Sequence, residues 1–241
     1  MSTLVLIRHG QASLEGADYD VLSARGIEQS RLLGEHLAAA GERFDVLAMG
    51  PLKRHRGTAE GVREGARRGG LELPTPTLLP GLDEFPAIEI MRSCVDGLAA
   101  RDPEIAALQR DLHATVADPA RRGFRRAFER LFQALMRRWI DGVFDDAVES
   151  YASFQARVDA AVDALLAAAG RGVRIAAVTS AGPVGAAVRS ALNLAPWDAM
   201  RATFVVANAS MSIFKHRPGE LTLTAFNGVP HLRDPALVTL R

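Results

Sequence analysis

An arginine and a histidine, Arg8 and His9, stand side by side near the start of the chain, and Gly10 and Gln11 follow them. The apolar run at 4–7 comes directly before this pair and predicts a short buried strand. Open α/β sheets bind their ligands beyond the carboxyl ends of their strands, where the pair would lie. Because an imidazole can act as a nucleophile and a guanidinium can bind phosphate, the pair predicts chemistry on a phosphoryl group.

Two more groups of polar residues follow predicted strands. Arg54 comes after a predicted strand at 44–49, in a segment where Pro51 is suited to the first turn of a helix. Asp83 and Glu84 come after a third, shorter predicted strand at 78–82. A second guanidinium and a carboxyl group therefore join the first pair at the same edge of the predicted sheet.

The elements that would position these residues alternate between strand and helix at both ends of the chain. Helices are predicted at 24–40, 123–140, 153–169 and from about 181 to 194, a further strand at 173–179, and a hairpin from 204–214 and 221–226. This alternation predicts an α/β fold in three layers, a mostly parallel sheet with helices on both faces. Strand signals vanish between residues 87 and 150, which predicts a helical cap inserted near the active site of a single domain spanning 1–241.

Composition excludes several classes of protein. The formal net charge of +1 argues against general nucleic-acid binding, and 48% hydrophobic with 24% charged residues is ordinary for a globular protein. The single cysteine, Cys94, excludes an intrachain disulfide and a cysteine-based metal site. No signal peptide or membrane-spanning run is recognisable, so the expected location is the cytoplasm and no membrane partner is expected.

Taken together, the motifs resemble the histidine phosphatase superfamily, the phosphoglycerate-mutase-like enzymes. The motifs are Arg-His-Gly at 8–10, Leu22-Ser23 with Gly26 and Gln29, Pro-Leu-Lys-Arg at 51–54 with Thr58-Ala59-Glu60, and Leu82-Asp83-Glu84. The resemblance covers residues 3–85 and 150–230 and does not extend through the helical insertion.

The resemblance implies a role for each of the main polar residues. His9 would attack phosphorus and become phosphohistidine, while Arg8 and Arg54 would hold the phosphoryl oxygens. Glu84 would protonate the leaving oxygen and then activate water, with Asp83 and Glu89 as rivals for that role.

The same resemblance implies how the phosphate pocket is lined. Gln11, Ser13 and Ser23 are candidates for lining it, and neither a metal nor an organic cofactor is required. A small phosphorylated metabolite is the expected partner, and the substrate and the oligomeric state stay open.

The chain departs from the family pattern at Ser180. The family places a second histidine after a late buried strand, in a pattern like Val-Ser-His-Gly-Gly, whereas residues 178–182 read Val-Thr-Ser-Ala-Gly. Losing one preorganised donor typically costs about 2.7–4 kcal/mol, or 10²–10³ in rate. The Ser180 hydroxyl and the start of the helix that follows would offset part of this loss by binding phosphate.

The leading interpretation is therefore a phosphomonoester hydrolase with a phosphohistidine intermediate, weakened by Ser180. The alternative is a catalytically weak or inactive relative that binds a phosphorylated ligand or a partner protein. A third interpretation, binding of a membrane surface or a partner helix by the aromatic and basic stretch 121–139, is less favoured than a cap helix packed on its neighbours.

Overall fold

The computed structural model describes residues 1–13, 20–117, 120, 122–144 and 146–240. The chain divides into two units, of which the first comprises Met1–Glu84 and Ala156–Arg241 and the second Phe85–Gln155. All the main polar residues predicted from the sequence, apart from Glu89, belong to the first unit.

The first unit is built on a six-stranded sheet. Its strands are β1 (Ser2–Arg8), β2 (Val46–Met49), β3 (Thr77–Leu78), β4 (Arg174–Thr179), β5 (Met211–Arg217) and β6 (Glu220–Gly228). They are ordered β3-β2-β4-β1-β5-β6, and the first four run parallel to one another. β5 is antiparallel to β1 and to β6. The predicted mostly parallel α/β sheet is confirmed.

Helices cover both faces of this sheet. The helices of the first unit are α1 (Ala24–Ala39), α2 (Lys53–Arg68), most of α7 (Tyr151–Ala169), α8 (Ala181–Leu192) and α9 (Pro196–Thr203). Val5 and Ile7 of β1 pack with Leu33 of α1 and Val62 of α2 in one buried cluster. Because side chains alternate along a strand, Leu4 and the other even-numbered residues of β1 face the opposite layer, which includes α8.

The described residues of the second unit form helices joined by turns, and none of them belongs to a strand. The unit contains α3 (Ala87–Glu89), a π-helical turn (Ile90–Cys94), α4 (Val95–Ala99), α5 (Pro103–Ala117), α6 (Phe124–Ile140) and the start of α7. Trp139 is fully buried at its centre, with ring centroids 5.4 Å from Phe85 and 5.7 Å from Phe154. That this unit caps an active site stays a prediction.

Two predicted strands differ from the structure. The strand predicted at 78–82 ends at Leu78 and a 3₁₀ turn follows at Pro80–Leu82, because Pro80 has no N–H to donate to a neighbouring strand. The strand predicted from 204 begins only at Met211. The helix α9 ends at Thr203, and residues 204–210 form turns that connect it to β5. Pro196 occupies the first turn of α9, where a proline is well tolerated.

Candidate active site

Strand register brings the first two elements of the site together. Arg8 at the end of β1 lies opposite Thr179 at the end of β4, and the backbone N–H of His9 donates to the Thr179 carbonyl at 2.8 Å. The next residue of each chain segment, His9 and Ser180, therefore leaves the sheet at the same edge. The Thr179 hydroxyl also donates to the Leu82 carbonyl at 2.7 Å, which attaches the segment before Glu84 to this edge.

The turn after β1 is pressed against α1 and tied to α2. A Cβ on Gly10 would lie 2.4 Å from the Gly26 carbonyl oxygen, so only glycine permits this approach. The Gly10 N–H donates to the Thr58 hydroxyl at 3.0 Å, and that hydroxyl donates to the Arg54 carbonyl at 2.7 Å. These two bonds fix the start of α2 beside His9.

His9 is buried with its Nε2 atom facing a cation. Its Nδ1 lies 2.7 Å from the carbonyl oxygen of Gly10, and the Nε–H of Arg54 donates to Nε2 at 3.1 Å. A carbonyl next to Nδ1 and a donor next to Nε2 both favour the tautomer that carries its proton on Nδ1. The Nε2 lone pair is then the nucleophilic position of the ring.

The surroundings also keep His9 neutral. Burial lowers its pKa well below 6.5, and the positive charges of Arg8 and Arg54 lower it further. Both causes disfavour the imidazolium ion. Because only the neutral ring can attack phosphorus, His9 has the protonation state that a nucleophile requires.

Arg54 is held by a carboxylate as well as by His9. Its Nη1 donates to Asp20 at 2.8 Å in an ion pair, and the other carboxylate oxygen of Asp20 accepts the backbone N–H of Lys53 at 2.8 Å. Arg54 and Lys53 occupy the first turn of α2. One carboxylate therefore binds both a guanidinium and a helix N-terminus, the two groups that favour an anion.

Arg8 is placed differently from Arg54. Its Nη1 donates to the carbonyl oxygens of Val206 and Leu240, the latter at 2.9 Å. Its positive charge is also one of the causes that lower the pKa of His9. The structure thus brings Arg8 beside the pocket, with its side chain anchored to the C-terminal segments.

The Glu84 side chain contacts the first turn of α8, the helix that follows Ser180. Its Oε1 accepts the backbone N–H of Gly182 at 3.0 Å. Its rival Asp83 uses Oδ1 to accept the Glu84 N–H at 2.7 Å, which is a local backbone contact. The other rival, Glu89, belongs to the second unit. Of the two candidate acids in the first unit, Asp83 and Glu84, the Glu84 carboxyl group is the one that bonds to the helix beginning at the active-site edge.

Two of the pocket-lining candidates, Gln11 and Ser13, follow β1, and the third, Ser23, is the N-cap of α1. The Ser23 hydroxyl donates to the side-chain oxygen of Gln11 at 3.1 Å and caps α1 by accepting the Gly26 N–H. The Ser13 N–H donates to the Val21 carbonyl at 2.8 Å. Gln11 and Ser23 therefore form one hydrogen-bonded pair, and Ser13 bonds through its backbone.

Ser180 contacts His55, a histidine that the sequence analysis did not single out. The Ser180 Oγ lies 2.8 Å from Nε2 of His55, and both residues have 0% exposure. The His55 ring centroid is 5.8 Å from that of His9. The helical spacing of His55, Ala59 and Val62 along α2 could have placed this histidine on the buried stripe.

Burial of His55 makes the stability of the protein depend on pH. Burial and the nearby charge of Arg54 lower its pKa from 6.5 to about 3. Between these values the unfolded chain binds a proton that the folded chain does not, so the free energy of unfolding falls as pH decreases below 6.5. At pH 4.5 we expect His55 to contribute about 2–3 kcal/mol of this loss. Urea unfolding of the wild type and of His55→Gln at pH 7 and pH 4.5 measures this contribution. We expect the free energy of unfolding to fall less in the variant than in the wild type. Equal losses in the two proteins would contradict the low pKa of His55.

Within the described part of the chain, no three or more His, Cys, Asp and Glu side chains are grouped so that they could hold a metal ion. None of the helices described is both long and apolar enough to cross a membrane.

A buried neutral histidine and an arginine thus lie together at the carboxyl edge of a mostly parallel sheet, an arrangement suited to binding a phosphoryl group. The chain belongs to the histidine phosphatase superfamily (branch 1), whose family model matches residues 4–137 and 118–228. By class the protein is a histidine-type phosphatase, which confirms the resemblance seen in the motifs. No curated protein matches the sequence.

Solved structures share the fold at low identity. A mutant phosphoserine phosphatase of Entamoeba histolytica in complex with phosphoserine is 19% identical, with a TM-score of 0.62, and covers 96% of this chain and 100% of its own. The α-ribazole phosphatase of Shigella flexneri is 23% identical, with a TM-score of 0.62 and coverages of 94% and 96%. A phosphoglycerate mutase of Bacillus anthracis is 18% identical, with a TM-score of 0.61 and coverages of 96% and 95%.

Proposed function

We propose that the protein hydrolyses phosphomonoesters through a phosphohistidine on His9. The observation that carries this proposal is the neutral, buried His9 ring, whose Nε2 faces the guanidinium of Arg54. Membership of the superfamily supports the same reaction class.

The proposed reaction has two steps. In the first, the Nε–H of Arg54 turns from Nε2 to the phosphoryl group, the freed Nε2 lone pair attacks phosphorus, and the bond from phosphorus to the ester oxygen breaks. Glu84, protonated at the start, gives its proton to that leaving oxygen. In the second, the Glu84 carboxylate removes a proton from water as the water oxygen attacks phosphohistidine, and inorganic phosphate leaves with Nε2 neutral again.

The proposed anion pocket surrounds the Nε2 atom of His9. Arg54 balances the negative charge that spreads over the phosphoryl oxygens in the transition state, and Arg8 adds a second guanidinium beside it. Gln11, Ser23 and Ser180 add neutral hydrogen-bonding groups, and Ser13 stays a candidate.

The proposed substrate is a small phosphorylated metabolite in the cytoplasm. Solved structures of the same fold include phosphoserine and 3-phosphoglyceric acid complexes of an Entamoeba histolytica phosphatase. Steady-state assays over a broad panel of phosphorylated metabolites, with p-nitrophenyl phosphate as a generic substrate, test the proposal. We expect turnover by the wild type that exceeds a His9→Ala blank; indistinguishable rates across the panel would favour the alternative, a protein that binds a phosphorylated ligand or a partner protein without turning it over.

We further propose that the helical cap at 87–150 sets the choice of substrate. Its helix α6 carries exposed arginines, including Arg126 and Arg137, which suit an anionic ligand. We expect Arg126→Gln and Arg137→Gln together to raise KM for a phosphorylated substrate by several-fold while kcat and the melting temperature change little, because they alter long-range attraction rather than the reacting groups. Arg217→Gln at the exposed end of β5 is the control for loss of a surface cation, and an unchanged KM in the α6 variant would contradict the proposed role.

A further inference from the structure

A second imidazole lies inside the site, although the sequence has no histidine at position 180. It belongs to His55, the third residue of α2, directly after the phosphate-binding candidate Arg54. Its Nε2 forms a hydrogen bond of 2.8 Å with the hydroxyl of Ser180. Its ring lies 5.8 Å from the ring of His9, centroid to centroid. A buried imidazole thus contacts Ser180, the residue that follows β4, and lies next to the nucleophile.

The surrounding backbone leaves room for this ring. A Cβ on Gly50 would lie 2.3 Å from the His55 Nδ1 atom and 2.7 Å from the Leu82 carbonyl oxygen. Any other residue at position 50 would therefore push the imidazole out of its place. The ring is held on one side by Gly50 and on the other by Ser180, which fixes its orientation.

The imidazole stays neutral in this position. Burial and the charge of Arg54 lower the pKa of His55 to about 3, so the ring carries a single N–H at neutral pH. When that proton is on Nε2, the ring donates to the Ser180 oxygen, and the hydrogen of the hydroxyl is left to donate to another acceptor. The His55 N–H then occupies one side of the Ser180 oxygen, and this fixes the direction in which the Ser180 hydroxyl donates its own hydrogen.

We propose that His55 is a positioning residue that orients the Ser180 hydroxyl as a hydrogen-bond donor to the phosphoryl group on His9. The inference rests on the proposed phosphatase function and adds to it a two-residue unit that joins α2 to the end of β4. His55 acts on the phosphoryl group only through Ser180. Ser180 is then the group in contact with substrate.

The position of Ser180 supports this role. It follows Thr179, whose carbonyl oxygen accepts the backbone N–H of His9 at 2.8 Å, so its backbone is fixed relative to the nucleophile. It also precedes α8, where the N–H of Gly182 donates to the Glu84 carboxylate. Ser180 is therefore the residue that connects Thr179, which is bonded to the nucleophile, with the first turn of α8, which is bonded to the proposed acid.

The test is a double-mutant cycle on kcat for p-nitrophenyl phosphate, in the full-length protein. We expect Ser180→Ala to lower kcat by about 10²-fold, the loss typical of one preorganised donor. His55→Ala should lower it by about 10- to 100-fold, because a misplaced donor loses most of its effect. The double variant should be no slower than Ser180→Ala alone, since His55 has no partner left to orient. His55→Gln, which keeps an N–H donor, should recover part of the rate.

Controls separate positioning from folding. His216→Ala, on β5 opposite Ser2 and so at the other end of the sheet, should leave kcat unchanged. Melting temperatures of all variants are measured beside the rates. Losses from His55→Ala and Ser180→Ala that multiply in the double variant would overturn the proposal, as would a His55→Ala variant with reduced melting temperature and full kcat.

A relocated imidazole supplies a second check. His55→Ala combined with Ser180→His returns one ring to the same space from the other side, and we expect it to be faster than His55→Ala alone. Ser180→His alone should not gain activity, because the His55 ring already fills that buried space. A gain by that single variant would contradict the proposal.

The proposed role of His55 and Ser180 can be tested even if the proposed phosphatase activity fails. If wild type and His9→Ala turn over every substrate equally, the proposed function fails and binding of orthovanadate, measured by calorimetry, becomes the readout for the pair. Ser180→Ala and His55→Ala should then weaken orthovanadate binding to the same extent, with no further loss in the double variant. Unchanged orthovanadate binding in both single variants would overturn the proposal that His55 orients Ser180.

Discussion

Replacement of His9 by alanine is expected to lower kcat for every substrate by about 10⁴- to 10⁶-fold, the range seen when the nucleophile of a covalent mechanism is removed. The physical reason is the position of Nε2, which is unprotonated and faces Arg54 where a phosphoryl group would be transferred. The loss should appear in kcat, because Arg54 and Arg8 remain to bind the anion. The two imidazoles in the site are thus expected to differ greatly in importance.

The covalent intermediate provides the direct measurement. Protein quenched in alkali during turnover and analysed by mass spectrometry should carry one phosphoryl group on His9, since phosphohistidine survives alkaline conditions. His55→Ala is the matched control, because its loss should leave the phosphorylated residue unchanged. Phosphate found on any other residue of an active enzyme, or full activity in His9→Ala, would contradict the assignment.

Arg54 is expected to show the second largest effect. Arg54→Ala should lower kcat/KM by about 10³-fold, because the planar guanidinium both balances transition-state charge and donates to His9. Arg54→Lys should recover only part of the loss, since an ammonium group cannot bind phosphate in the same bidentate manner. Arg56, two residues further along α2 and exposed to solvent, provides the matched control, and Arg56→Ala should keep the wild-type kcat/KM.

The Arg54 variants also have a signature in their pH dependence. The charge of Arg54 is one of the causes that lower the pKa of His9, so its removal should raise that pKa. The acid limb of kcat/KM, where His9 becomes protonated, should therefore move to higher pH in Arg54→Ala and stay in place in Arg56→Ala. An acid limb that does not move in Arg54→Ala would show that the guanidinium does not act on the imidazole.

Local sequence was sufficient to predict the edge of the sheet where the site lies. An apolar run followed by Arg8 and His9 predicts a strand end, and the same logic placed Arg54 and Glu84. The contacts of Arg8 were not predictable, because Val206 and Leu240 lie 198 and 232 residues away in the chain. Such pairings depend on how the last strands return beside β1, and no local pattern contains that information.

His55 was missed for a different reason. It stands between Arg54 and Arg56 in a basic segment, and charge alone predicts an exposed turn there. The buried stripe of α2 places it on the inner side of the helix, but the pattern does not reveal which residue it meets. His55 is 125 residues away in the chain from Ser180, which stands where the family has a histidine. Only the fold brings the His55 Nε2 atom to 2.8 Å from the Ser180 Oγ atom.

On the proposed mechanism, Asp20 makes phosphate binding at this site an exchange of one anion for another. Its carboxylate already binds Arg54 and the first backbone N–H of α2, the groups to which a phosphoryl ester would bind. An incoming dianion therefore has to displace a monoanion that is tethered to the chain and returns when the product leaves. Such a tethered competitor would weaken the binding of singly charged ions and of free phosphate to Arg54. The Asp20 carboxylate would therefore limit product inhibition, and it would neutralise the charge of Arg54 between turnovers.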